Sequence, residues 1–138
     1  MDAPARIEPE PDWESGPYWE GAARGELMIK RCGECQRAHW YPRAHCPHCQ
    51  AGAVEWEVAS GRGTVYSHTT IHQNSGRAFR DWVPYRVGLV ELEEGPRVFA
   101  FLRGPGDKLG VGAPVTVGFE TVGATALPVF LAADEASA

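Results

Sequence analysis

Residues 27–50 read LMIKRCGECQRAHWYPRAHCPHCQ, with Cys32 and Cys35 as one Cys-x2-Cys pair, Cys46 and Cys49 as a second, and ten residues between them. Each Cys-x2-Cys turn can aim two thiolates at one point. Two such turns on adjacent loops complete the tetrahedron that Zn²⁺ prefers, so the spacing predicts a structural zinc site made of Cys32, Cys35, Cys46 and Cys49. Disulfides are the rival reading. They require an oxidising compartment, and the sequence shows no apolar run long enough for a signal-peptide core or a membrane span. The expectation is therefore a soluble, cytoplasmic chain in which paired motifs of this kind hold metal. Thioredoxin-like redox chemistry needs a single motif at the start of a helix, which is not the pattern here. Four thiolates close the coordination sphere and leave no position for water, so the site would stabilise the fold and do no Lewis-acid chemistry. His39, His45 and His48 lie among the cysteines and are expected at the surface or as outward hydrogen-bonding neighbours of the site.

The flanks of this stretch complete a small module. LMIKR leads into the first cysteine pair, AHWYPR supplies a middle strand, and VEWEV closes at residue 58. Upstream, Ser15 is placed to cap a short helix over residues 17–24, with Pro17 in its first turn and Gly25 just beyond its end. Tyr18, Trp19, Ala22 and Ala23 would form its packing stripe. Residues 1–16 read as a flexible arm, with three prolines among the first eleven residues. Helix and ribbon together occupy residues 17–58.

From residue 59 the pattern changes to strands separated by Gly and Pro turns. GTVYSHTTIH (63–72) alternates Val65, Ser67, Thr69 and Ile71 on one face with Tyr66, His68, Thr70 and His72 on the other. YRVGLVEL (85–92) and RVFAFLR (97–103) form a hairpin through EEGP, and Gly88 suggests a bulge or a sharp corner. VTVGFE (115–120) and LPVFL (127–131) follow, Pro128 placing the last strand at an edge. Five short antiparallel strands with a glycine corner predict an OB-type barrel over residues 59–132, followed by a tail over 133–138. The fold class is mainly β. GPGDKLGVG (104–112) resembles a phosphate loop but lacks the strand–loop–helix setting, so it reads as a connector.

Composition narrows the functional classes. The chain has 138 residues, 13 basic and 18 acidic side chains, and a formal charge of −5. Such a balance disfavours a general phosphate-backbone binder, although OB barrels and zinc ribbons both serve single-stranded nucleic acid in other settings. Eleven of the 13 cations are Arg, with Lys30 and Lys108 the exceptions. Codon bias accounts for most of these. The segment 24–50 alone is positive, at +3.

The connection QNSGRAFRDWVP (73–84) is long for a hairpin and combines Arg77, Phe79, Arg80 and Trp82. Trp and Arg anchor protein interfaces, and the same pair can stack a nucleotide base and grip its phosphate. The alternative is a tip whose aromatic rings fold back on the barrel. His68 and His72 could line a cleft, yet no nucleophile, base and orienting group are present together.

Taken together, PYWEGAARGEL, the two Cys-x2-Cys pairs around HWYPR, SGRGTVYS, PYRVGLVELEEGPR and VGAPVTVGFE resemble the family of OB-fold, acyl-CoA-associated proteins with an N-terminal rubredoxin-like zinc ribbon. The likeness spans residues 17 to about 131. It implies that Cys32, Cys35, Cys46 and Cys49 are zinc ligands and that the chain is an accessory subunit of a thiolase-like, or lipid-transfer-protein-like, catalytic protein. It also implies carbon–carbon bond cleavage or formation on acyl-CoA, with steroid side-chain retro-aldol cleavage foremost and thiolase chemistry beside it. An α2β2 heterotetramer would result, with no nucleic acid or membrane as partner. On that expectation Arg62, Arg77 or Arg80 touches the coenzyme phosphates, and Trp19, Trp40 and Trp82 anchor the interface. A free-standing lyase or thioesterase is the competing enzyme reading.

Overall fold

The computed structural model describes residues 7–136 and is mostly β, a three-stranded ribbon followed by a closed five-stranded barrel. The ribbon consists of β1 (Met28–Cys32), β2 (Ala38–His39) and β3 (Val54–Val58), with β1 in the centre and both neighbours antiparallel to it. The expected middle strand shortens to two residues. Only Ala38 and His39 find partners, Arg31 and Lys30, before the chain turns away towards Pro42, which has no N–H to donate to a ladder.

Helix α1 runs Gly16–Ala23, one residue earlier than the sequence suggests. Ser15 precedes it but does not cap it with its side chain, because its Oγ turns back to accept the Asp12 N–H at 3.0 Å. Asp12 Oδ1 in turn accepts the N–H groups of Glu14 and Ser15, and donors from Ser15 hold the Asp12 carboxyl below its usual range. The buried stripe is Tyr18, Gly21 and Ala22. Trp19 is half-buried, and Ala23, expected on the stripe, is exposed.

Of the flexible arm expected over 1–16, residues 1–6 lie outside the described residues. Glu8 reaches the distant turn at Gly123 and Thr125, and Pro9, Glu10 and Asp12 lie along the groove described below. In the tail, Ala133–Ala136 is a short helix, α2, and residues 137–138 lie outside the described residues.

The barrel strands are β4 (Arg62–Ile71), β5 (Tyr85–Leu92), β6 (Arg97–Arg103), β7 (Pro114–Val122) and β8 (Thr125–Ala132), in the closed order β4-β5-β6-β8-β7. This is the OB arrangement. The parallel pairing of Leu102 with Phe130 and Arg103 with Leu131 closes it. Closure also corrects the edge position expected for Pro128. That residue is buried, in the half of β8 that pairs only with β7, so its missing N–H costs no second ladder bond.

The barrel interior is filled by Val65, Val90, Val98, Leu102, Val115 and Phe130, and Leu109 from the β6–β7 connection is wholly buried with them. Leu27 and Ile29 of the ribbon and Tyr18 of α1 join the same cluster, so the core is continuous from ribbon to barrel. Outside the barrel, α1 packs on β8, and burial therefore runs through Pro128, Val129 and Phe130 without alternating. No helix among the described residues is long and apolar enough to cross a membrane.

The faces expected for β4 hold only to Val65. Val65 pairs with Val90 and Ser67 with Leu89, leaving Tyr66 as an extra, bulged residue. Beyond it His68 and Thr70 share the face of Gly88 and Arg86, while Ser67, Thr69 and Ile71 share that of Leu89, Val87 and Tyr85. The bulge suggested by Gly88 thus lies on the neighbouring strand. A Cβ on Gly88 would run into the Ser67 carbonyl and lie 2.9 Å from Leu102 Cδ1, so the close strand approach requires glycine.

Candidate functional site

The four cysteines converge. Their Sγ atoms all lie within 4.8 Å of one another, with Cys32–Cys49 and Cys35–Cys46 each at 3.6 Å. A tetrahedron with metal–sulfur bonds of about 2.3 Å has sulfur–sulfur edges of about 3.8 Å, whereas a disulfide bond is about 2.05 Å. The spacing is that of a metal site, and the cysteines are free of disulfides.

The two turns repeat each other. In the first, Cys32 N–H bonds the Arg37 carbonyl and Gln36 N–H the Cys32 carbonyl; in the second, Cys46 N–H bonds the Ala51 carbonyl and Gln50 N–H the Cys46 carbonyl. Gln36 and Gln50 have φ of 66° and 68°, the left-handed turn that lets the chain double back after the second cysteine. Backbone N–H groups of Glu34 and Cys35 point at Cys32 Sγ, and that of His48 at Cys46 Sγ.

Donors of this kind stabilise thiolate. Those of Cys35 and Glu34 lower the Cys32 thiol. Burial opposes ionisation of Cys46, but the N–H groups of Cys49 and His48 and the adjoining thiols bring it down to about 7. Cys49 receives an N–H from Ala51, yet burial and three neighbouring sulfurs push it up to about 12. Sulfurs that ionise readily at first and with difficulty last are a set that a divalent cation completes, so the donor set fits Zn²⁺. All four positions come from protein, which makes this a closed, structural centre. Among the described residues it is the one place where three or more metal-ligating side chains meet.

Of the three histidines, His45 and His48 are exposed as expected. His39 departs from the expectation. It is buried at 5% exposure, and neither ring nitrogen finds a hydrogen-bond partner. Burial holds its imidazole below the ordinary histidine range, with the charges of Lys30, His48 and Arg43 acting the same way. Its alternation partner on the two-residue strand, Ala38, is buried as well, so this strand is covered on both faces.

The structure brings two of the three candidate arginines together. Arg77 and Arg80 are exposed on the 73–84 connection, immediately beyond β4. Arg62 starts that strand, roughly 30 Å away at the rise of a ten-residue β-strand, and its guanidinium grips Glu93 through two bonds of 2.9 Å. The rings of the connection fold back on the barrel. Phe79 meets Trp82 edge-on and Tyr85 at a tilt, Tyr85 meets Phe101 edge-on, and Asn74 Nδ2 donates to the Tyr85 hydroxyl at 2.8 Å. Arg103 lies over the rings of Trp82 and Phe101 and is bound to Glu120 at 2.7 and 3.1 Å.

A groove of about 390 Å³ runs between the ribbon, α1 and the outer face of β5 and β6. Trp19, Trp40, Tyr41, Val87, Phe99 and Phe101 are among its walls, and Glu10 and Asp12 of the arm border it. Trp19 and Trp40, expected as interface anchors, are half-buried against the core. The exposed rings are instead Trp13, Tyr41, Tyr66 and Phe99. Phe99 was hidden from sequence reading because its strand alternates apolar residues on both faces.

Comparison with known proteins agrees with this architecture. Residues 19–55 match the model of the ChsH2 rubredoxin-like zinc ribbon domain and residues 56–120 that of the ChsH2 C-terminal OB-fold domain. The chain is similar to a probable enoyl-CoA hydratase alpha subunit from Thermomonospora curvata, 38% identical over 117 residues, covering 82% of this chain and 35% of that protein. It is also similar to the 3-oxo-4,17-pregnadiene-20-carboxyl-CoA hydratase alpha subunit of Mycobacterium tuberculosis, 32% identical over 118 residues, covering 83% and 36%. The chain thus spans about a third of the length of these two curated relatives. Among solved structures, a chain of the Ltp2-ChsH2(DUF35) aldolase superposes with a TM-score of 0.80 at 34% identity, over 91% of this chain and 99% of that one. With both domain models matched in order and a solved relative covered almost end to end, the chain belongs to the ChsH2 family, the DUF35 proteins that join a rubredoxin-like zinc ribbon to an OB-fold barrel.

Proposed function

We propose that this chain is the accessory, non-catalytic subunit of a heteromeric enzyme whose thiolase-like partner cleaves or forms a carbon–carbon bond in an acyl-CoA thioester. Retro-aldol cleavage of a steroid-type side-chain acyl-CoA is the foremost reaction. The observation that carries the reading is the 34% identity to, and 99% coverage of, a chain from a structure titled as an Ltp2-ChsH2(DUF35) aldolase. The local chemistry supports it. All four thiols converge on one point suited to a metal, which leaves no cysteine as a nucleophile. What this chain can contribute is coverage of the partner's site, exclusion of water and a hold on the coenzyme arm. Arg77 and Arg80, exposed on one connection, are the first candidates for the coenzyme's phosphates, and Arg62, paired with Glu93, is the third.

The test is co-expression with a thiolase-like protein of the source cell. The expected result is an α2β2 complex by light scattering, turnover of a side-chain acyl-CoA by the complex, and none by this chain alone. In that complex Arg77→Ala or Arg80→Ala should raise KM for the acyl-CoA. Thioester conversion by the purified chain, or absence of complex with every thiolase-like protein of that cell, would refute the reading.

A further inference from the structure

The four sulfurs of the metal centre meet solvent unequally. Cys32 and Cys46 are buried, at 0% and 1% exposure, whereas Cys35 is half-buried and Cys49 is exposed. Burial coincides with shielding by the backbone. Cys32 Sγ accepts the N–H groups of Glu34 at 3.3 Å and Cys35 at 3.5 Å, and Cys46 Sγ accepts that of His48 at 3.3 Å. Such bonds draw charge from a sulfur and lower its nucleophilicity along with its basicity.

Cys49 stands apart. Pro47, His48 and Gln50 around it are exposed as well, so solvent reaches this corner of the cluster. The stretch 24–50 that surrounds it carries a charge of +3. An accessible sulfur in an electropositive setting is where oxidants act, and a metal-bound cysteine is held as the thiolate they need. A second sulfur is within reach, because Cys32 Sγ lies 3.6 Å from Cys49 Sγ. Closing by about 1.5 Å would bring the two to the length of a disulfide bond.

We propose that Cys49 is the oxidation site of this chain, where a peroxide-class oxidant forms a sulfenic acid that Cys32 resolves as a disulfide. The Cys49 thiolate attacks one oxygen of hydrogen peroxide, the O–O bond breaks, and hydroxide leaves. The Cys32 thiolate then displaces a second hydroxide from the sulfenic sulfur. In all, two thiolates lose two electrons and one peroxide becomes two hydroxides. Only Cys35 and Cys46 remain as thiolates, and two ligands no longer hold the ion tightly. The acyl-CoA reading above is not needed for any of these steps.

The full chain, loaded with Zn²⁺, is treated with hydrogen peroxide while a chromogenic chelator reads the metal released beyond that lost to chelator alone. Peptide mass spectrometry reads the cysteines. The expected results are one Zn²⁺ released per peroxide consumed, a Cys32–Cys49 disulfide as the first stable product, and dimedone trapped at Cys49. Dithiothreitol with added Zn²⁺ should restore the loaded chain. Cys49→His keeps a fourth zinc ligand without an oxidisable sulfur, and should slow release at least about threefold because the sulfurs left are less accessible. Release from this variant as fast as from the native chain, or first modification at Cys35, would overturn the proposal, as would four cysteines left reduced with zinc still bound. If Cys49→His does not take up zinc, the position of dimedone on the native chain decides by itself.

Discussion

Loading the four-cysteine centre with Zn²⁺ should release protons in a number set by the environments of the sulfurs. At pH 7, Cys46, lowered to about 7, is half thiolate, and Cys49, pushed up to about 12, is thiol. Binding both as thiolates expels about 1.5 protons, one from Cys49 and half of one from Cys46. At pH 6, Cys46 is protonated in about nine molecules of ten, and the same two residues release about 1.9 protons. Each proton released changes affinity tenfold per pH unit, so the average of about 1.7 between these pH values means at least about 50-fold weaker loading at pH 6. The sign is that acid opposes the metal. Competition of the reduced, metal-stripped chain with a chelator of known affinity measures the ratio, and calorimetry in two buffers of different ionisation heat counts the protons. Release of less than one proton at pH 7, or an affinity change under tenfold, would refute binding by four thiolates. Removal of the metal should also loosen residues 27–58, seen as rapid amide exchange in β1 and β3, while a ribbon that stays folded in strong chelator would count against the assignment.

Three further outcomes follow from particular residues. Phe130 is wholly buried in the barrel, and Phe130→Ala should lower unfolding free energy by about 3–5 kcal/mol in denaturant titration; a loss under about 1 kcal/mol would show that the interior does not depend on it. Gln50 holds a left-handed φ of 68° with no side-chain bond among the described residues, so Gln50→Gly should be neutral or stabilising by up to about 1 kcal/mol, read as a thermal shift of the metal-loaded protein. Gln36→Gly should gain less, because it forfeits the 2.8 Å bond from Gln36 Nε2 to the Gly33 carbonyl. His39 is held below the ordinary histidine value near 6.5, so the unfolded chain takes up that proton more readily and stability falls as pH drops below about 6.5. His39→Phe should flatten the stability profile between pH 5.5 and 7.5, and an unchanged slope would refute the role of burial.

The features legible in the sequence are those fixed by short spacing. The zinc ligands are separated by two intervening residues within each turn, and the five barrel strands are punctuated by their own glycines and prolines. A repeated Gln after each second cysteine, which marks the left-handed step, was also present to be read. What escaped depends on partners far along the chain. The bulge at Tyr66 exists only in register with β5 and reverses every face after it. Burial of His39 comes from elements packed around its strand, and its residue type gives no sign of it. Arg62 and Arg77 are near neighbours in sequence, yet an extended strand drives them to opposite ends, while Gly106 meets Arg86 from twenty positions away.

Trp40, Tyr41 and Pro42 hang between the two cysteine turns and also form one wall of the groove beside α1. The loop that carries them is anchored at Cys35 and at Cys46, whose Sγ atoms lie 3.6 Å apart within the metal-binding cluster. Metal binding is therefore felt on a surface that contains no metal ligand: with the two cysteine turns untied, that wall of the groove would lose its shape.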